Sequence, residues 1–599
     1  MERGLHPPPI IKSACSHRDR PCEGSGSHPG LCDAGRRRSW RVRGWHPDVL
    51  PVILNPVMSP PIAQALVSLC SIVLMGLAFQ PWDVTAAAWV GLVPLLAGLV
   101  ASPHPESRRR FLWDGALFGA GYHLLVLIPF VSIGWWGWGA TTLGGVRQYV
   151  TYAHLFMWTL VILIALWAGL VFGMLSAWLR PWLRHPVAAV LVVPAAWTFL
   201  LEFLGHRSVF NFGWGLLGNR LHAQPVLRQV ASLTGVWGLS FLLVMVNTLL
   251  ALWLVHLTGR DGRRHPSRAL WSATIVVCCI VGLAAGYGAH RLRATETGAG
   301  TPVWRVALLQ GARSDYAEED FTPEGLDRLY APMIRQAAET RADLIVLPET
   351  VWLRTLVLGE PAGPTPGNEA LPQARLQTAL ADVLGERPAV VAIGMDTQID
   401  GQSYNATSFW TAGALLGVYR KQRLVPFAEY RPALVGRFAP QNVIHGEAFT
   451  FQPGVGPQLV TVRGVPVGNF ICQEVLFPAL IRDSVRAGAQ LLISTGNDGV
   501  FTSPIVAWEQ ANLAVLRAVE TGRYVLRAMK SGVSLVIDPQ GRRLAALGVG
   551  EQGLVEAAVS PRTERTPSVR FGDWFAWLCG AVVAVAVGWR TRLGGLRER

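Results

Sequence analysis

Charge is what this chain of 599 residues has least of: Asp, Glu, Lys and Arg together make up 15%, against 51% hydrophobic residues. A soluble globular chain carries about 25% charged residues. That shortage excludes an ordinary soluble protein. The apolar residues are also clumped, which points to a membrane protein with a soluble part. Acidic residues are scarcer than basic ones, 39 against 53, so the formal charge is +14. The excess is mostly arginine in short segments between apolar runs. A nucleic-acid protein would gather that charge on one face of a soluble domain. The positive-inside pattern of membrane proteins accounts for it better.

Cysteine is nearly missing from the polar part of the chain. Of eight cysteines, Cys70, Cys278, Cys279 and Cys579 sit in apolar runs, and Cys15, Cys22 and Cys32 in the first stretch. Only Cys472 remains, which removes support for a disulfide framework there. Cys15, His17, Cys22, His28 and Cys32 match no standard zinc spacing, so no metal is expected. Neither a GxGxxG nor a phosphate loop stands in a usable context, which argues against a nucleotide enzyme. No apolar run has the form of a cleavable signal peptide.

What is present has a clear order. Residues 1–57, rich in Arg, Pro, Gly and His, read as a disordered cytoplasmic tail, with Met58 as an alternative start. Seven apolar runs follow near 61–79, 84–101, 112–133, 153–178, 186–204, 231–257 and 269–289, a bundle over 58–292. A crossing needs ~20 apolar residues, and the first two runs are short. Arg108-Arg109-Arg110, then Arg180 and Arg184, then Arg260, Arg263, Arg264 and Arg268 fall in alternate loops, which places those loops in the cytoplasm. Trp135, Trp136 and Trp138 read as an interfacial belt, with a lipid-entry role as the alternative. Residues 300–562 alternate short apolar strands with amphipathic helices, an α/β layered domain outside the membrane. An eighth crossing at 572–590 and a basic cytoplasmic tail at 591–599 complete about eight membrane helices.

Three stretches of the outside domain can carry chemistry. Leu344–Leu347 is a buried strand followed by Pro348-Glu349, which projects a carboxylate from the strand end. Tyr419–Phe427 brings Lys421, and eight residues later Glu429 lies among aromatic residues and proline. Gly464–Ile471 is a strand that stops at Cys472, before Phe477-Pro478 opens a helix. A strand-to-helix elbow exposes such a thiol and is expected to favour its thiolate. Acyl transfer through a thiol needs a proton acceptor and a positive charge near the developing oxyanion. A Glu, a Lys and a Cys divide that work.

Leu347-Pro348-Glu349, Lys421 with Pro426-Phe427-Ala428-Glu429, and Ile471-Cys472-Gln473-Glu474 resemble the three motifs of the nitrilase (carbon–nitrogen hydrolase) superfamily. Gly496-Asn497-Asp498 resembles its segment after the next strand. With the apolar runs, Gly235–Phe241 and Thr566–Trp574, the chain from about 60 to 599 is similar to the apolipoprotein N-acyltransferase family. The resemblance implies an αββα sandwich on the extracytoplasmic side of the cytoplasmic membrane. It implies Glu349 as proton acceptor, Lys421 as oxyanion stabiliser and Cys472 as nucleophile, supported by Glu429 and Glu474. Gln473, Asn497 and Asp498 are expected to touch substrate, although Gln473 stands where the family has an aromatic residue and Val500-Phe501 where it has a tryptophan. The implied reaction moves an acyl chain from a membrane phospholipid, through a cysteine thioester, to the α-amine of a diacylglyceryl-cysteine on apolipoproteins, without cofactor or metal. A membrane-tethered amidase with water as acceptor, or a non-catalytic scaffold, would carry the same residues. Segments 354–368 and 430–446 read as lids or plain surface loops.

Overall fold

The computed structural model describes residues 60–101, 108–131, 146–207, 213–294, 303–311, 323–351, 354–359, 369–426, 429–430, 451–498 and 503–597. The N-terminal tail with its Cys and His residues, Trp135–Trp138 and most of the 430–446 segment lie outside them. Apolar helices come first: α1 (Pro60–Leu77), α2 (Val93–Ala101), α3 (Arg108–Val131), α4 (Val146–Leu179), α5 (Pro186–Arg207), α6 (Val236–Leu257) and α7 (Arg268–Ala294). Five stretches among the described residues, within α3 to α7, are long and apolar enough to cross a membrane. Residues 65–77 and 574–589 form shorter apolar helices, and 85–101 is a shorter apolar stretch of helical turns.

The second expected run is not one helix. It breaks into a single turn at Thr85–Ala88 and α2, with a turn between. Such a break frees backbone groups that need partners in an apolar setting. Asn247 of α6 supplies them: its Oδ1 accepts from Leu92 N at 2.9 Å, and its Nδ2 donates to Ala88 O at 2.9 Å. Helices α3 and α4 meet through small residues. A side chain on Gly115 or Gly119 would meet the carbonyls of Phe172 or Ala168, and one on Gly169 or Gly173 those of Ala116 or Leu112. Both helices thus carry a G-x-x-x-G face that brings the backbones together. On α4, Ile162, Leu163, Leu166 and Leu170 are exposed at helical spacing, an apolar face turned outward.

Residues 303–559 build two sheets. The first holds β1 (Trp304–Gln310), β2 (Leu344–Val346), β3 (Arg354–Leu358), β4 (Glu369–Pro372), β5 (Val390–Ile399), β6 (Gln402–Trp410), β7 (Leu415–Arg420) and β14 (Gly553–Val559). The second holds β8 (Leu459–Val462), β9 (Val465–Ile471), β10 (Leu491–Gly496), β11 (Val525–Met529), β12 (Ser534–Ile537) and β13 (Arg543–Leu547). Alternation along each strand explains the layers. Val306, Leu308, Leu344 and Val346 meet Val467, Leu491, Ile493 and Leu526 between the sheets. Ala307, Leu309, Ile345 and Leu347 face outward onto α8 (Pro323–Glu339) and α9 (Gln373–Leu384). Phe470 and Leu492 do the same towards α10 (Pro478–Arg486) and α11 (Pro504–Thr521). Buried on both faces, the central strands read as unbroken apolar runs. The result is an αββα sandwich. Strand β4 runs straight into α9, and residues 354–358, within the segment read as a lid or a plain surface loop, form a largely buried strand.

Beyond the sandwich come α12 (Pro567–Phe571) and α13 (Trp574–Arg597). Helix α11 belongs to two cores at once. Ala511, Ala514 and Ala518 pack with the second sheet, whereas Leu516 and Val519 join the core of the apolar bundle. Polar bonds reinforce that joint. Arg220 pairs with Glu509 of α11 at 2.5 Å, and Gln80 N donates to the same carboxylate at 3.1 Å. Glu520 accepts from Val236 N at 2.8 Å. Asp573 accepts from Arg207 at 3.0 Å, Arg482 at 2.5 Å and Trp237 Nε1 at 2.9 Å.

Candidate active site

The site gathers where strands of both sheets end. Glu349 follows β2, Lys421 follows β7, Cys472 follows β9, Asn497-Asp498 follow β10 and Lys530 follows β11. Parallel strands present their C-terminal ends on one edge, where α/β sheets place ligands.

Glu349 reaches its place by a close approach. Leu347 N donates to Ala392 O and Val351 N to Gly394 O, so the chain after β2 still follows β5. A Cβ on Gly394 would stand 2.2 Å from Pro348 O and 2.7 Å from Glu349 Cα. Only glycine admits that contact.

Lys421 sits between two carboxylates. Its Nζ donates to Glu349 Oε1 at 3.1 Å and to Glu429 Oε1 at 2.8 Å. Asn405 of β6 donates its Nδ2 to the same two oxygens, at 2.7 Å each. Lys421 is 1% exposed and Glu349 6%, so this is a dry ion triad. Burial alone would strip the ammonium of its proton, but the Glu349 and Glu429 carboxylates hold it well above the ordinary lysine range.

Cys472 occupies a strained turn. Its φ is +54°, in the left-handed region that a residue with a Cβ enters at a cost. A short 3₁₀ turn, Cys472–Leu476, separates it from α10. The expectation that this elbow favours the thiolate fails. Burial first, and then the Glu349 charge, push the thiol up, with Lys421 opposing. The thiol therefore rests protonated, and an acceptor must take its proton when it reacts.

Glu474 is fully buried and bonds in two directions. Oε2 accepts from Ile471 N at 2.6 Å and Tyr419 Oη at 2.8 Å; Oε1 accepts from Gln422 N at 2.7 Å and Arg423 N at 3.0 Å. One carboxylate thus ties the cysteine elbow to the lysine loop. Burial raises its pKa, against the bonds from Ile471 and Arg423.

Of the remaining expected residues, Gln473 and Asn497 are half-buried, and Asp498 is buried and pairs with Arg527 at 3.1 Å. That pairing gives Asp498 a partner within the protein. Three neighbours escaped the sequence reading. Asn405 and Asp396 face each other across β5 and β6, and Lys530 donates to Thr350 O at 3.0 Å. Burial, with Glu429 and Glu349 nearby, raises the Asp396 carboxyl to about 7. Burial brings the Lys530 ammonium down to about 7, with Glu349 and Asp396 opposing. Polar residues inside a strand carry no periodic signal that separates them from a solvated face, and this hid Asn405 and Asp396.

Comparison with known proteins agrees with the two-part layout. The carbon-nitrogen hydrolase family model matches residues 305–567, and the apolipoprotein N-acyltransferase N-terminal domain matches residues 71–249. The chain is 31% identical to an apolipoprotein N-acyltransferase of Azotobacter vinelandii, over 88% of this chain and 94% of that protein. One from Geobacter metallireducens is 27% identical over 88% of this chain and 95% of its own. Among solved structures, an amidase from Nesterenkonia sp. aligns with 43% of this chain and 91% of its own, at 21% identity and a TM-score of 0.31.

Proposed function

Because the chain belongs to the apolipoprotein N-acyltransferase family, we propose that Cys472, Glu349 and Lys421 carry its acyl transfer, with Cys472 as nucleophile. The protein is an acyltransferase of lipoprotein maturation. The observation that carries the residue assignment is the dry triad of Lys421 between Glu349 and Glu429, at the sheet edge where Cys472 is held in a left-handed turn.

The chemistry follows from the charges. Glu349 accepts the Cys472 proton as the sulfur attacks the ester carbonyl of a membrane phospholipid. Lys421 faces the oxyanion that develops, in a setting where water does not weaken it. The carbon–oxygen bond breaks, Glu349 returns the proton to the leaving alkoxide, and a lysophospholipid departs from a Cys472 thioester. The α-amine of a diacylglyceryl-cysteine on an apolipoprotein then attacks the thioester. Glu349 takes the amine proton, the carbon–sulfur bond breaks, and the thiol regains its hydrogen. Glu429 and Asn405 position Lys421 and Glu349; Glu474 positions the elbow. Gln473, Asn497 and Asp498 contact substrate in this reading, the first two from half-buried positions.

The sandwich lies on the extracytoplasmic side of the cytoplasmic membrane, as the alternation of arginine-rich loops supports. In that reading the three shorter apolar stretches join the five long ones to give eight crossings. The decisive experiment uses the full chain in detergent with a phospholipid labelled in its acyl chain. Label should appear on Cys472, resist denaturation, and leave with hydroxylamine or a diacylglyceryl-cysteine peptide. Absence of label from wild type, or its persistence in Cys472→Ala, rejects the assignment. Release to water at the same rate with and without the peptide indicates a hydrolase.

A further inference from the structure

A second place in the molecule is built to hold charge. A cavity of about 330 Å³ opens between the turn after α1, the segment linking α5 to α6, helix α11 and the β12–β13 turn. Its walls include Asp83, His222, Arg228, Arg542 and Arg543. None of these is a residue of the Cys472 site.

The cations there are set against one another. Arg228 is fastened by two backbone carbonyls, Nε to Gln540 O at 2.9 Å and an Nη to His222 O at 3.0 Å. Arg543 donates to Asn512 Oδ1 at 2.6 Å. Burial, then Arg543 and Arg542, bring the Arg228 guanidinium down to about 10, with Asp538 opposing. Two carboxylates answer the three arginines. Asp83 stands 3.3 Å from His222 Nε2, and Asp538 is occupied in its own turn by Gln540 N and Arg542 N. Arg228 is buried, Arg542 and Arg543 are exposed, and an anion among them would offset the like charge gathered there. Their forked N–H groups suit phosphate oxygens.

The surroundings say where such an anion comes from. Trp82 and Val84, on either side of Asp83, are 60% and 45% exposed, and Leu544 beside Arg543 is 45% exposed. Exposed tryptophan and aliphatic residues next to arginine mark the level of lipid headgroups. We propose that this cavity is a binding site, separate from Cys472, for the phosphate of an anionic phospholipid headgroup.

The test uses the full chain in detergent, with native mass spectrometry of retained lipid and thermal unfolding. Phosphatidylglycerol should be retained in preference to phosphatidylcholine. The double substitution Arg542→Ala/Arg543→Ala should weaken phosphatidylglycerol retention by about tenfold or more, the loss expected for charge-assisted hydrogen bonds. Retention of phosphatidylcholine and thioester formation at Cys472 should not change. Should that double variant fail to fold, Arg542→Ala alone, at an exposed residue, should show the same preference reduced. Asp83→Asn, which removes an opposing charge, should tighten retention. A rise in unfolding temperature with inorganic phosphate, lost in the double variant and without lipid preference, would overturn the lipid source and assign the site to free phosphate. Equal retention of both lipids and no response to phosphate, or a double variant that behaves as wild type, sinks the proposal.

Discussion

At the scale of single residues, the site is an exercise in compensating burial. Lys421 is kept charged by Glu349 and Glu429. Lys421→Met should therefore do two kinds of damage. It removes the proposed oxyanion partner, and it leaves two buried carboxylates without a counter-charge, which costs about 3–5 kcal/mol. Loss of thioester formation together with a fall in denaturation midpoint is the expected result; an unchanged midpoint would show that the triad does not hold the fold. Asp396 gives a pH signature. Its folded pKa, about 7, lies above the ordinary 3.8. Its contribution is fully present below pH 4 and is lost as pH rises through 7. Unfolding temperature plotted against pH should thus decline less steeply between pH 4 and 7 in Asp396→Asn than in wild type. Glu349, Lys421 and Cys472 were legible because their three motifs stand in order in one domain; each alone, at a strand end, reads first as a surface charge or an inert thiol. Asn405, Asp396 and Lys530 were not legible, since what makes them matter is a neighbour distant in sequence.

At the scale of elements, most boundaries fall within two or three residues of those expected, because turns and periodicity are local. The misses have physical causes. Run 84–101 looked continuous since hydropathy averages over a broken turn, and Asn247, which makes the break tolerable, lies far along the chain. Segment 354–358 read as loop for its neighbouring Gly and Pro, yet it pairs with β4 and β5. The α3–α4 contact supplies a prediction. In Gly173→Leu the new Cβ would stand 2.5 Å from Leu112 O, so the backbones must part. Overpacking of this kind costs about 1–3 kcal/mol. The variant should unfold at lower temperature in detergent, while Gly282→Leu, where open space surrounds the glycine, should not. Gly394→Ala acts on chemistry instead. It should displace Glu349 and depress acyl transfer more than it lowers the unfolding temperature, and equal effects on both would reduce Gly394 to a packing residue.

At the scale of the whole molecule, the sequence announced two parts but not how they are joined. Gly235–Phe241 and Thr566–Trp574 stood out only as resemblances. In the structure they meet: Trp237 donates to Asp573, and Trp574 Nε1 donates to Leu233 O at 2.9 Å. Glu509→Ala would leave Arg220, which is 0% exposed, without its carboxylate. A drop of about 3–5 kcal/mol in stability follows from an orphaned buried charge. Limited proteolysis should separate bundle and sandwich sooner in Glu509→Ala than in wild type, and identical digestion patterns would count against this joint. Topology is open to the same kind of check. Cysteines placed at Arg263 and Gly456 should label from opposite sides of the membrane, and labelling from one side would move the sandwich to the cytoplasm.

The joint has a bearing on turnover. Glu509, Glu520 and Asp573 grip the bundle through three different partners, Arg220, the start of α6, and Arg207 with Trp237. A body riveted at three places has no axle left to swing on. On that reading, the half that carries Cys472 keeps one tilt towards both substrates. In the two-step transfer proposed for Cys472, donor and acceptor would then come in succession, by sideways drift through the lipid sheet, to a workbench that stays where it is.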